Sequence, residues 1–599
     1  MFDVSTKSKA ITSEGVYILK PERSLSIFWL LRYLVPVKGR IVILLGMLLT
    51  STALQLINPQ IVQQFIDTAS TKGAIVGLLR LAGIFLVIAV INQLLTVAVS
   101  YMGNDVAWRA TNRLRADLLK QCLRLDMRFH NLKTPGEMIE RVDGDVTNMS
   151  NFFALFIVQI IGSFVLLAGI LGYMFTTSWP IATTMTIFTC ISIGVMVYIR
   201  DLGVTATQAE RQARASLLGL IEERISGIED VQANGGVPYV MNRFHRAMRS
   251  VFLTGRKAWM LRVVPWNATV VLFAVAVTVV LLIGVNMYLK GQITLGTLYL
   301  VYQYTQMLND PIEQLGNQVQ EFQRAKSGMR RSSEILSLQS EIREGTEETL
   351  PDGALGVDFD QVSFSYNSDN RVLQDISFSL RPGERLGIVG RTGSGKSSIS
   401  RLLLRLYNTD SGVIRVGGTD IQTLRMEALY NRVGMVTQDV QLFDGTLRDN
   451  LTLFNSKVSD QEIMETTERL GLRKWIDKLP HGLDTHLAAG GASLSAGEAQ
   501  LFALTRVFLT KPSLVILDEP SSKLDAATEA ALQTAVDQIM EHCTGIVIAH
   551  RLSTLKKVDK IMVLGNGRIL EFGPREALAQ DSSSRFAKLL RTDRQEELA

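Results

Sequence analysis

Residues Gly390–Ser398 read GRTGSGKSS, and how that run is read decides the fold. It satisfies the pattern G-x-x-x-x-G-K-[ST], follows the apolar strand-like RLGIVG (Arg385–Gly390) and precedes the helical SSISRLLLRL (Ser397–Leu406). Strand, glycine-rich turn and helix start form the context in which such a run holds phosphate. Gly390, Gly393 and Gly395 let backbone N–H groups converge on phosphate oxygens, with Ser394 and Ser398 in the same cradle. The helix N-terminus adds positive potential, Lys396 reaches the β and γ phosphates, and Ser397 can hold Mg²⁺. The predicted ligand is a nucleoside triphosphate with its magnesium ion.

Further along, LVILDEP (Leu514–Pro520) has four apolar residues suited to a buried parallel strand, ending in two carboxylates. Asp518 at the strand tip can bind Mg²⁺ through water, and Glu519 can polarise an attacking water as general base. Helix and strand patterns interleave from LGVDFDQVSFSY (Leu355–Tyr366) onward, as expected of an α/β domain.

The part before this domain is of another kind. Of the 599 residues, 47% are apolar and 20% charged, and mean hydropathy is +0.19, too apolar for an ordinary soluble enzyme. Ile41–Ile66, Leu81–Asn104, Val146–Ile199, Val263–Leu289 and Gly291–Asn309 contain no Asp, Glu, Lys or Arg. The third run is about twice a bilayer's thickness at helical rise and carries the turn-like TTSWP (Thr176–Pro180), so it reads as two spans. Six transmembrane helices are predicted. The segments Asp105–Arg141 and Arg200–Arg262 are rich in Lys and Arg, which places them and both termini in the cytoplasm. Arg23–Arg40, basic and aromatic, reads as an interfacial helix along the inner leaflet, and the first twenty residues carry no signal-peptide pattern. The net charge of +5 therefore reflects membrane topology, and mixed charges in the soluble part give no basic face for nucleic acid. Cys122, Cys190 and Cys543 are widely spaced and indicate neither a zinc site nor a disulfide framework.

The order of motifs in the soluble part resembles that of an ATP-binding cassette: the phosphate loop, Gln438 in VTQDVQLFDGTLRDN, LSAGEAQ (Leu494–Gln500), LVILDEP, Asp525 in SSKLD and His550 in IVIAHRLST. The chain as a whole resembles the ABC exporter family, with six spans fused to one nucleotide-binding domain. The resemblance implies a multidomain membrane protein: an all-α six-helix transmembrane domain plus an α/β P-loop NTPase domain. The implied segments are an N-terminus and elbow helix at 1–40, a transmembrane domain at 41–338, a polar linker at 339–356 and the nucleotide-binding domain at 357–599.

The same resemblance gives roles to residues. Tyr366 looks like the aromatic that stacks on adenine, Gln438 like the residue that touches Mg²⁺ and the attacking water, and Asp525 like one that crosses a dimer interface. His550 looks like the switch histidine on the γ phosphate. Ser495 and Gly497 look like the groups that bind the nucleotide of a partner domain. Asn131–Val146 and Ser226–Tyr239 resemble the loops whose short coupling helices dock on nucleotide-binding domains. Gln303, Gln306, Asn309 and Asp310 either line a substrate path or bond helix to helix.

The chain departs from the family pattern at two places. In the LSGGQ-like run, Ala496 stands for glycine and Glu498 for glutamine, and Ala489 stands where a glutamate is usual. Glu498 in the first helical turn can cap free N–H groups. Lys396, Asp518, Glu519 and His550 match a hydrolytic set. Mixed motifs of this kind are typical of heterodimeric exporters, so a different half-transporter is the expected partner, with a homodimer as the alternative. The implied function is ATP-driven export of an amphipathic, drug-like or lipid-like substrate by alternating access from a bacterial plasma (inner) membrane. A peptide exporter and a non-transporting ATPase or ATP-gated channel are the other readings.

Overall fold

Most of the uncharged runs fold into helices longer than the hydrocarbon core of a membrane is thick. The computed structural model describes residues 10–12, 15–17, 32–71, 73–367, 371–438, 440–477, 479–488, 495–518, 526–549 and 552–598, which divide into two compact units. In the membrane unit, α1 (Lys38–Ser70) and α2 (Ile75–Arg124) are followed by a short helix, α3 (Met127–Leu132), that belongs to the other unit. A helical stretch over 135–177 contains two π-helical segments and ends in α4 (Gly162–Thr177); the chain then turns at Ser178 into α5 (Trp179–Ile199). Next come α6 (Val204–Ser226), α7 (Val237–Leu289), α8 (Leu295–Met307) and α9 (Asn309–Ser337). The turn at Ser178 is where the sequence divides its long third run. With 50 and 53 residues, α2 and α7 are each about 75–80 Å long, far beyond a hydrocarbon core of about 30 Å.

Among the described residues, five helices are long and apolar enough to cross a membrane: 32–70, 75–124, 135–177, 179–196 and 237–289. The last uncharged run, predicted as the sixth span, differs from expectation, because its helix α8 has only 13 residues and breaks at Leu308. Pro311 has no N–H to give the carbonyl of Met307, so the i to i−4 ladder fails there; Leu308 N bonds back to Thr305 O instead. The polar α9 carries the chain onward.

Polar side chains fasten α8 to α1. Asp67 accepts from Gly296 N and Thr294 Oγ1, each at 2.8 Å, and caps the start of α8. Deeper in the pair, Gln63 donates to Thr297 Oγ1 at 3.0 Å, and the Tyr304 hydroxyl donates to Leu56 O at 2.7 Å. Groups that would be expensive to leave unpaired in lipid thereby satisfy one another. The face of α8 and α9 with Gln306 and Asp310 is not used this way: both are exposed, and among the described residues Gln306 donates to Tyr302 of its own helix.

Among the described residues the second unit contains two large sheets and two small two-stranded ones. A four-stranded antiparallel sheet is built on β1 (Val357–Ser365), β2 (Arg371–Leu380) and β4 (Ser411–Val416). The six-stranded sheet has the order β9 (Arg568–Pro574), β8 (Lys560–Gly565), β3 (Arg385–Val389), β7 (Thr544–Ile548), β6 (Leu514–Asp518) and β5 (Val433–Val436). All its pairings are parallel except β8 with β9. Leu514–Leu517 are fully buried, the continuous apolar run that a parallel strand covered on both faces requires.

Within the membrane unit, Asp145 is wholly buried and its carboxylate receives the forked guanidinium of Arg331 on α9, with Nε to Oδ2 at 2.8 Å. Arg331→Leu leaves that carboxylate buried and unpaired and is expected to destabilise the protein by about 3 kcal/mol. Thermal unfolding of the purified full-length chain checks this; an unchanged midpoint would show that the pair carries no such role.

Candidate functional site

The parallel register brings the motif-bearing strand ends to one edge. Asp518 pairs with Ile548, Ile548 with Ile388, and Leu517 with Val436. The phosphate loop leaves β3 just past Ile388, and Gln438 lies two residues past Val436. Three steps between neighbouring strands, about 4.8 Å each, therefore separate the phosphate loop from Gln438, with Asp518 between them. The carboxyl ends of strands in an open α/β sheet are where such folds take ligands.

The phosphate loop runs from β3 into α10 (Lys396–Leu403). Gly395 holds φ +105°, a conformation open to glycine but strained for any side chain, and a Cβ there would come within 2.6 Å of Leu373. At Gly390 a Cβ would meet the carbonyl oxygen of Leu564 at 2.3 Å. The loop is thus a tight backbone cradle. Lys396 is buried and its ammonium donates to the carbonyls of Gly390 at 2.7 Å and Arg391 at 3.2 Å. Ser394 Oγ is buried and has no hydrogen-bond partner among the described residues, as suits a cradle whose remaining partners come with a phosphate. These residues fit a nucleotide triphosphate. For Mg²⁺, Ser397 in the first turn of α10, Asp518 at the tip of β6 and the exposed Gln438 supply the oxygen donors that a hard cation prefers. Bound there, the ion would neutralise charge between β and γ phosphates.

Tyr366 stands beside this loop. Its hydroxyl lies 3.0 Å from Ser398 Oγ and accepts from Arg401 at 3.0 Å. Its ring meets Phe364 and Tyr407 edge to face, with centroids 4.8 and 5.2 Å apart. Tyr407 in turn accepts from Asn131 Nδ2 at 2.6 Å, and burial, ahead of the nearby Tyr366, pushes its phenol pKa up. Asn131 belongs to α3, which begins at Met127 and so starts upstream of the Asn131–Val146 stretch in which the sequence places a coupling helix. Asp126 sets that start by accepting from Phe129 N at 3.2 Å as N-cap. It also accepts from Glu341 N at 2.9 Å, and Arg128 pairs with Glu341 at 3.0 Å. A short helix Ile228–Ala233 occupies the second loop.

The run that departs from the family pattern opens α11 (Ala496–Leu509). Ser495 is the N-cap: its Oγ accepts from Glu498 N at 3.3 Å, while Glu498 Oε2 accepts from Ser495 N at 2.7 Å. This reciprocal capping box gives the carboxylate its place and satisfies two orphan donors at the helix start. Ser495 is exposed and Gly497 buried. At the other end of α11, half-buried Arg506 donates to Asn450 O at 2.6 Å and Gln441 O at 2.9 Å. Asn450, fully buried, closes the loop with bonds to Phe443 N and O at 2.9 and 2.8 Å. The loop after Gln438 and the helix after Ser495 are thereby one body. Sequence reading missed Asn450, Arg506, Tyr407 and Arg401; only the Asn in GTLRDNL carried a hint.

Among the expected site residues, Tyr366, Gly390, Gly393, Ser394, Gly395, Lys396, Ser397, Ser398, Gln438 and Asp518 gather about the loop and sheet edge, whereas Ser495 and Gly497 open a separate helix. Glu519, Asp525, His550 and Ala489 lie outside the described residues, as does the side chain of Ala496.

A phosphate cradle on a parallel-sheet edge, joined in one chain to long apolar helices, defines a membrane protein driven by a nucleotide triphosphatase. Two family models match, the ABC transporter transmembrane region over residues 41–312 and the ABC transporter domain over 373–522. The fatty acid ABC transporter ATP-binding/permease protein of Mycobacterium bovis is 31% identical over 461 residues, 77% of this chain and 73% of that one. The ATP-dependent lipid A-core flippase of Desulfotalea psychrophila is 31% identical over 452 residues, 75% and 78% of the two chains. The fold is shared with a bacterial Atm1-family ABC exporter solved with ATP bound, at TM-score 0.77 and 24% identity over 93% of this chain and 98% of that one. The chain belongs to the ABC transporter family, as an exporter with membrane and ATPase domains fused, and it couples ATP hydrolysis to transport.

The capping box makes Glu498 a test case. Glu498→Ala should lower stability by about 1 kcal/mol, whereas Glu498→Gln, which keeps an acceptor oxygen, should leave ATPase activity within about two-fold (~0.4 kcal/mol). Thermal unfolding and steady-state ATPase assays of the two variants check this.

Proposed function

We propose that this chain is one half of a dimeric exporter that moves an amphipathic, lipid-like substrate, with its ATPase unit and both termini in the cytoplasm of a bacterial cell. The observation that carries the reading is the sheet edge, where the cradle of Lys396, the tip carboxylate of Asp518 and Gln438 follow neighbouring strands in register. There Gly390, Gly393, Ser394, Gly395, Lys396, Ser397 and Ser398 hold the ATP phosphates, Tyr366 the adenine, and Ser397, Gln438 and Asp518 the Mg²⁺. Glu519 activates the water, and His550 contacts the γ phosphate. Ser495 and Gly497 serve the nucleotide of the second domain, and Asp525 crosses between the two. ATP binds the closed pair better than the open one, and that difference moves the membrane helices between inward and outward access. Lipid-like cargo is favoured by relatives named for fatty acids and for lipid A-core. The exposed Gln306 and Asp310 suit the polar side of a substrate path.

The second half is a different chain in our reading, because Ala489 and Ala496 depart from the pattern of a fully competent signature. A homodimer is the second reading; the intact capping box at Glu498 favours it, since one of the departures leaves the helix start in order.

In inside-out vesicles, ATP should drive accumulation of a fluorescent fatty acid or phospholipid. Glu519→Gln should keep ATP binding while turnover falls by about 100-fold or more. Accumulation without ATP would contradict the export reading. A stable, ATP-hydrolysing dimer formed by this chain alone would contradict the heterodimer.

A further inference from the structure

At the foot of the membrane unit, α1 and α2 leave the apolar region at the same level. The uncharged run of α1 starts at Ile41, directly after Arg40, and that of α2 ends at Asn104, directly before Asp105. Arg40 and Asp105 form an ion pair, so the two polar boundaries are physically joined. A recess of about 430 Å³ opens beside this pair, lined by Pro36, Val37, Arg40, Arg109, Asn112 and Arg113.

The charges in the recess do not balance. Arg109 Nε also reaches Asp105, at 2.8 Å, so two guanidiniums share one carboxylate. Arg113 has no acidic partner among the described residues. The neighbouring Asp117 accepts the Tyr33 hydroxyl at 2.9 Å, and Asn112 has its carbonyl oxygen taken by Arg115 at 2.9 Å. Three arginines thus face one aspartate, and a guanidinium offers donors only. Such a recess fits an anion with several acceptor oxygens, and the planar fork of arginine matches phosphate. Pro36 and Val37 supply an apolar wall, and the depth is that of the headgroup layer, where basic pockets between transmembrane helices take anionic lipid.

We propose that this recess binds the phosphate of a phospholipid headgroup, holding the first spanning helix at a fixed depth. The site belongs to the membrane unit and the nucleotide cradle to the other, and it does not depend on which cargo is exported. Its chemistry would also suit free phosphate, so the test separates the two sources. Full-length protein, purified in detergent and stripped of lipid, is titrated with phosphatidylglycerol or with diacylglycerol, which lacks the phosphate, and bound lipid is counted by native mass spectrometry. Phosphatidylglycerol should be retained and diacylglycerol not. Arg113→Gln, which breaks no ion pair, should weaken retention about five-fold, while Lys120→Gln on the same helix, outside the recess, should not. Equal retention by wild type and Arg113→Gln, or an equal fall in both variants, overturns the proposal. Displacement of the lipid by millimolar inorganic phosphate assigns the recess to a free anion and overturns its lipid source; insensitivity to phosphate supports it. Unfolding midpoints matching wild type establish that the variants are folded.

Discussion

The register between β3, β7, β6 and β5 is the constraint on which the ATPase unit rests. Backbone hydrogen bonds fix Ile388 beside Ile548, Ile548 beside Asp518 and Leu517 beside Val436. A slip of one residue would turn every side chain to the other face, exchanging Leu514 and Ile516 with Val515 and Leu517 between the two cores they fill and withdrawing Asp518 from its place at the edge. The buried apolar strands therefore do two things at once: they form the core, and they set the distance between phosphate cradle, tip carboxylate and Gln438. Further out, Arg506 and Asn450 extend the same rigidity by joining the loop after Gln438 to α11.

What could be read in the sequence was what depends on near neighbours. The phosphate loop is legible because three glycines, a lysine and a helix start must sit within nine residues. The capping box of Ser495 and Glu498 is legible too, as S-x-x-E before an apolar run. Arg506 was invisible: its partners Asn450 and Gln441 lie 56 and 65 residues away, and no local pattern ties an arginine in a helix to a distant loop. The surroundings of Tyr366 were hidden for the same reason, since Tyr407 and Arg401 reach it only through the fold.

The membrane unit shows the converse. Apolar runs and the turn at Ser178 are properties of composition, and they fold as composition dictates. The pairing of α1 with α8 depends on which face each polar residue occupies, and sequence alone left Gln303 and Gln306 open between two roles. In the structure the helix contact runs instead through Thr294, Thr297 and Tyr304. The last span was read as whole because it carries no charge; its break at Leu308 follows from Pro311, a backbone effect that hydropathy does not register.

The central claim is that the nucleotide cradle and the Ser495 helix serve two different ATP molecules, each completed by a second chain. Disulfide trapping tests it most directly, with a cysteine at Ser495 of this chain, in a background free of its native cysteines, and a cysteine in the phosphate loop of the second chain. The account predicts a cross-link between chains that forms with ATP and Mg²⁺ and is lost without nucleotide. Absence of a cross-link between the chains in the presence of ATP and Mg²⁺, or a cross-link indifferent to ATP, would contradict it.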